Sequence, residues 1–218
     1  GHALNLSHSQ VNGPMAYSSY PGYRDLHPGV AGCVAPRHVP GSGGNDMPYA
    51  YVETMYPFID VYGQAGIEMS TVDLADDIAA VSNLYPTSAY KSGTGRITGT
   101  LRLKDGRTPY AGINIVARDV ADPLRDAVSA MSGDMTQGKV GPDGRFTITN
   151  LKPGQGYLLY IEEIIAGGYP TQPRLLVSQA EYWNVAEGTD PSADKACDAT
   201  PIVAQAGAAK AVDLFFNG

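Results

Sequence analysis

The sequence predicts an α+β chain: a loop-rich N-terminal portion with one clear helix, followed by an all-β Greek-key sandwich. Three observations carry this expectation. Short runs of alternating apolar and polar residues, separated by turn residues, recur from Arg96 onward. Only Ser70 to Tyr85 has apolar residues at helical spacing. The 26 Gly and 16 Pro, set against a single Trp and four Phe, favour turns and strands over a helical bundle.

The chain opens with Gly1-His2-Ala3-Leu4-Asn5-Leu6-Ser7-His8-Ser9. Two imidazoles flank Asn5, the non-glycine residue that best tolerates a left-handed turn. A catalytic zinc takes three protein nitrogens and keeps one position open, and a third ligand from one segment requires the chain to leave a helix and turn back. His2 and His8 suit that pattern, and they also suit ordinary surface histidines. Residues 10 to 52 follow as a long irregular stretch, crowded with Gly and Pro and without periodicity. Its Tyr17, Tyr20 and Tyr23 suit either the wall of a groove or anchors of the loop, and His27 and His38 are left unassigned. Thr54-Met55-Tyr56-Pro57 comes next, centred on a soft, unbranched methionine suited to packing.

In the helix Ser70 to Tyr85, Asp73 is the expected N-cap. Asp76 and Asp77 lie in the first turn, Leu74, Ile78, Val81 and Leu84/Tyr85 form the apolar face, and Pro86 ends the run. Adjacent helical carboxylates diverge, so capping and solvation explain Asp76 and Asp77 better than acid–base chemistry does. Residues 89–95 read as a flexible linker. Beyond it, strands are expected at Ile97 to Leu103, turning at Asp105-Gly106, then at Ile113 to Ala117 and Gly144 to Leu151. Two more are expected at Tyr157 to Ile161, after Pro153-Gly154, and at Val212 to Phe216. Glu181 through Asp198 reads as an acidic, solvated loop, with calcium as the functional alternative.

Two resemblances sharpen this outline. G-H-x-L-x-L-x-H-S at Gly1 to Ser9, followed by Met55-Tyr56-Pro57, resembles the trailing part of the metzincin zinc-protease motif, closest to its matrixin branch. The resemblance implies that His2 and His8 are zinc ligands and that Met55, Tyr56 and Pro57 form the Met-turn. It also implies that Asp76-Asp77-Ile78 with Leu84-Tyr85 belong to the closing helix of the catalytic domain. The motif's first histidine and its general-base glutamate fall before Gly1, so the 218 residues alone are expected to be inactive. Pro57-Phe58-Ile59 departs from the Pro-x-Tyr of the matrixin specificity pocket, so no pocket preference carries over. Ile97-Thr98-Gly99, Asp105-Gly106, Gly112 to Ala117 and Gly144 to Tyr157 resemble a carboxypeptidase-regulatory-like, prealbumin-type sandwich of secreted bacterial proteins. The expected division is therefore 1–88 for the protease portion, 89–95 for the linker and 96–218 for the sandwich.

Net charge is −7, with no Lys/Arg-rich run, which argues against nucleic acid as a partner. The sequence contains no apolar run long enough to span a bilayer. A start at Gly1 without a signal peptide reads as a processed product or part of a longer frame. Cys33 and Cys197 permit one disulfide or two free thiols. Two functions are in view. One is a fragment of a secreted zinc endopeptidase acting on peptide or protein substrates. The other is a non-catalytic extracellular module whose sandwich edges drive adhesion or self-assembly.

Overall fold

The computed structural model of the chain describes residues 6, 9, 11–12, 51–56, 72–133, 143–162, 181–187 and 199–217. Among these residues two helices, α1 (Ala75–Leu84) and α2 (Ser88–Gly93), precede the strands. The longer strands are β1 (Gly95–Leu103), β2 (Asn114–Asp119), β3 (Ala127–Met131), β4 (Arg145–Leu151) and β5 (Gly156–Glu162). Short ones follow: β6 (Glu181–Tyr182), β7 (Ile202–Val203), β8 (Ala209–Ala211) and β9 (Leu214–Phe216). The fold is α+β and dominated by strands.

The strands form two sheets. The first has the order β4-β1-β8, with β9 also paired to β1. The second has the order β3-β2-β5-β6, with β7 also paired to β5. β1 runs antiparallel to β4 but parallel to β8 and β9, which lie end to end along it. The two sheets share one core. Ile97, Leu101, Ile148 and Leu214 of the first meet Ile115, Leu159 and Ile161 of the second, all fully buried. Each such side chain contributes roughly 1.5–3 kcal/mol of burial free energy.

Turn chemistry closes the strands where the sequence places it. Gly106 has φ +66° after β1, and the Asp105 carboxylate accepts the N–H groups of Arg107 and Thr108, each at 2.8 Å. Between β4 and β5, Gly154 has φ +84°. The Tyr157 hydroxyl holds that turn by accepting from the Lys152 N–H and donating to buried Asp126, both at 2.8 Å.

The period-two expectation for Ile113, Ile115 and Ala117 describes only one face of β2. All six residues of β2 are buried. On the other face Val116, Ala127, Tyr160 and Tyr182 pack with Val11 from the N-terminal portion. Val11, from the expected protease portion, thus shares a buried cluster with residues of the expected sandwich.

Two local expectations are corrected. The helix runs from Ala75 to Leu84, with Leu74 at the N-cap position and no side-chain cap, so Asp73 does not cap it. Its buried face is Ala75, Asp76, Asp77 and Ala79, while Ile78 (40%), Leu84 (43%) and Tyr85 (64%) are exposed. Small alanines let α1 lie close to the sheets, with Ala75 donating to the Arg125 carbonyl and accepting from Asn150. Of the expected apolar face Leu74 is buried, whereas Ile78, Leu84 and Tyr85 are turned outward. The expected flexible linker at 89–95 is largely helix α2. The Thr87 hydroxyl accepts the Tyr90 N–H at 3.0 Å to start it, and the Thr94 hydroxyl donates to the Tyr90 carbonyl at 2.8 Å to close it.

Candidate functional site

The residues around Met55 are built on hydrogen bonds from three separate stretches. Val52, Glu53, Met55 and Tyr56 are buried, and the Tyr56 N–H closes a turn on the Glu53 carbonyl at 3.0 Å. Ser9, the neighbour of His8, donates its backbone N–H to the Met55 carbonyl at 3.0 Å. The Ser9 hydroxyl donates to Asp76 Oδ2. Asp77 Oδ2 accepts the Thr54 N–H at 3.0 Å. Helix α1 thus holds the Met55 turn through one aspartate and the segment after His8 through the next.

A second layer fixes this arrangement to the sheets. Asp76 Oδ1 accepts the backbone N–H of Ser129 in β3 at 2.7 Å and its hydroxyl at 3.1 Å. Glu53 accepts the N–H of Val11 at 2.7 Å and of Asn12 at 3.0 Å. Asn12 in turn donates to the carbonyls of Tyr51 and Leu124, both at 2.7 Å. The Arg118 side chain of β2 donates to the Val11 carbonyl, to Asn12 Oδ1, to the Pro123 carbonyl and to the Tyr160 hydroxyl. Arg118 is only 1% exposed, and its planar fork of donors explains why an arginine can sit there.

Three carboxylates are therefore buried close together. Burial pushes Glu53 up to about 7, and the nearby Asp76 charge adds to the rise. Asp77 is pushed up to about 6 by burial and again by Asp76, against the hydrogen bonds from Thr54. Burial raises Asp76 as well, opposed by its bonds to Ser9 and Ser129 and by the Arg118 charge. Both oxygens of Glu53 are engaged by backbone donors, so its geometry is that of a structural acceptor. Asp76 and Asp77, expected as solvated capping residues, are in fact buried supports: α1 packs on its polar side.

Of the sequence-predicted site, Met55 and Tyr56 are placed as a buried turn joined to the segment of His8. His2, His8, Pro57, Cys33 and Cys197 lie outside the described residues. The expected acidic loop from Glu181 is corrected at its start. Glu181 and Tyr182 form β6, and fully buried Glu181 accepts the Asn217 N–H at 2.9 Å, while Glu187 accepts the Phe215 N–H at 2.5 Å. These two acids latch the last strand. Among the described residues no cluster of three or more His, Cys, Asp or Glu is placed to hold a metal ion. Glu53, Asn12 and Arg118 have no local signal in the sequence, whereas the Asp76-Asp77 pair is visible there and only its buried role is not.

No family model matches the chain, and none of the curated proteins matches it significantly. Among the described residues no helix is long and apolar enough to cross a membrane.

Proposed function

We propose that this chain carries the zinc-site and Met-turn portion of a secreted, matrixin-type metzincin endopeptidase of bacterial kind. Joined to it is a prealbumin-type Greek-key sandwich resembling carboxypeptidase-regulatory-like domains. One observation carries the reading: the Ser9 N–H bonded to the Met55 carbonyl at 3.0 Å, which brings the residue beside His8 against the turn. A methionine turn is useful beneath a metal site only if the histidine segment lies directly on it. Asp77 fixes that turn, and Asp76 fixes Ser9. This second layer is what a metal ligand needs in order to keep its orientation.

The residues fit zinc in donor chemistry: His2 and His8 would hold it as neutral imidazoles, with the Met55 side chain as packing. Bound there, zinc would supply Lewis-acid chemistry toward a peptide carbonyl. Peptide hydrolysis would further need a third nitrogen ligand and a general base beside these two imidazoles.

The test is zinc titration of the purified chain by calorimetry, with His2→Ala and His8→Ala variants, alongside a casein-type cleavage assay. Weak zinc binding lost in either variant, without cleavage, supports the reading. Zinc binding indifferent to both histidines removes it and leaves the non-catalytic sandwich module as the working function. Cleavage abolished by a chelator would show that other residues complete the site.

A further inference from the structure

Among the described residues β8 is a sheet edge left open. Its three residues are exposed, and no described strand lies on its outer side. In its parallel ladder with β1, the Ala208 carbonyl accepts the Arg96 N–H at 3.0 Å and the Val212 N–H donates to the Thr98 carbonyl at 2.8 Å. That register turns the backbone of Lys210 toward β1, so the N–H and C=O groups of Ala209 and Ala211 point away from the sheet. Alanine side chains leave this edge sterically accessible.

Beside the edge runs a groove of about 390 Å³ whose lining includes Trp183, Pro201, Val203 and Lys210. Val203 is 57% exposed on β7, the facing edge of the second sheet. A second groove of about 270 Å³ is lined in part by Tyr90, Lys91 and Arg96, on the other face of the sheet, because Arg96 pairs with Ala209 whereas Lys210 pairs with buried Ile97. Among the described residues neither groove is lined by an Asp or Glu, although the chain has 22 acidic residues against 15 basic ones. Lys210 on the face of the Trp183 groove, with Arg96 and Lys91 on the other face beside the same edge, favours an acidic strand there.

We propose that the open edge of β8 and the Trp183 groove bind an extended, acidic segment of another polypeptide by strand addition. The outward N–H and C=O groups, spaced two residues apart, match an extended backbone, which a saccharide lacks. Alternate side chains of the added strand would enter the groove, an apolar one onto Trp183 and an acidic one toward Lys210.

Trp183 is the chain's single tryptophan, so its emission reports on the groove directly. The probe is acetyl-Thr-Val-Glu-Glu-Glu-Val-Thr-amide, which carries Val, Glu and Val on one face when extended, titrated into the full chain at low salt. The expected result is a saturable shift in emission, weakened about tenfold or more by Ala211→Pro and by Lys210→Glu. Proline at 211 removes an N–H that faces away from β1, so the thermal midpoint should not move. A probe N-methylated at alternate residues should also bind at least tenfold more weakly, and this arm needs no variant that folds.

Equal binding of the N-methylated probe, or of a counterpart with Lys in place of Glu, would overturn the proposal. So would the absence of a saturable shift at millimolar peptide. A shift produced by polygalacturonate and not by the peptide would reassign the groove to acidic glycans. Dimerisation abolished by Ala211→Pro would reassign the edge to a second copy of the chain.

Discussion

The carboxylate of Asp77 accepts the backbone N–H of Thr54 at 3.0 Å, so the first turn of a helix supports a turn more than twenty residues before it in the chain. Asp77 is buried and Thr54 half-buried, and the cost of losing one partner falls on the other. Asp77→Ala should therefore destabilise the chain by about 1–3 kcal/mol, read from urea unfolding. Asp77→Asn keeps an acceptor oxygen and should cost less. If both variants unfold at the parent midpoint, the turn does not depend on this bond.

The buried acids give stability an unusual pH dependence. Glu53 has an ordinary value of 4.5 and a folded value of about 7, and Asp77 rises from 3.8 to about 6. Between those limits the folded state holds protons that the unfolded chain releases. Their contribution is thus fully present below the ordinary values and is lost as pH rises through the folded ones. For Glu53 alone this amounts to roughly 3 kcal/mol. The thermal midpoint should fall between pH 5 and pH 8, and Glu53→Gln should flatten the fall. Exposed Asp105 has the opposite sign: hydrogen bonds from Thr108 and Arg107 hold it at about 2, so its contribution disappears only in strong acid. A midpoint that rises over pH 5 to 8 would contradict this assignment of the protons.

Gly99 and Gly93 make a contrasting pair. A Cβ at 99 would lie 1.6 Å from the Val212 carbonyl oxygen, where the chain crosses from β8 to β9, whereas one at 93 meets nothing within 4 Å. Gly99→Ala must displace backbone and should cost about 3 kcal/mol or more. Gly93→Ala in α2 should be neutral or gain up to about 1 kcal/mol. Urea midpoints of the two variants check the contrast, and a mild Gly99→Ala would mean that the crossover can move.

What the sequence disclosed follows from the range of the forces involved. Alternation at Ile97 to Leu103 and at Phe146 and Ile148, and the turns at Gly106 and Gly154, express local rules and are seen in the structure. The Asp213 carboxylate is different. It accepts the Thr100 N–H at 2.9 Å where the β1 ladder breaks between β8 and β9, and nothing local to residue 213 announces that. β8 itself is Ala-Lys-Ala, without a hydrophobic pattern, and owes its strand to β1. Helix α1 was misread for the same reason: Asp76 and Asp77 face inward because Ser9, Thr54 and Ser129 supply donors from distant stretches. Of the candidate site, the Met55 turn was legible as a motif, and its supports were not.

Arg118 is the most demanding of those supports. Its Nη1 donates to Asn12 Oδ1 at 2.8 Å, its Nη2 to the Val11 carbonyl at 3.0 Å and its Nε to the Tyr160 hydroxyl at 3.2 Å. It also supplies a positive charge that lowers the proton affinity of Asp76. Arg118→Met preserves bulk but removes the donors and the countercharge together, so a loss of about 3–5 kcal/mol is expected. Arg118→Lys restores the charge without the planar fork and should recover only part of it. Hydrogen exchange separates the local effect from global loss. The Val11 and Asn12 amides bonded to Glu53 should exchange faster in both variants, while the Leu101 amide bonded to Gly144 should be spared in Arg118→Lys. Unchanged exchange at Val11 and Asn12 would mean that Glu53 holds this segment without Arg118.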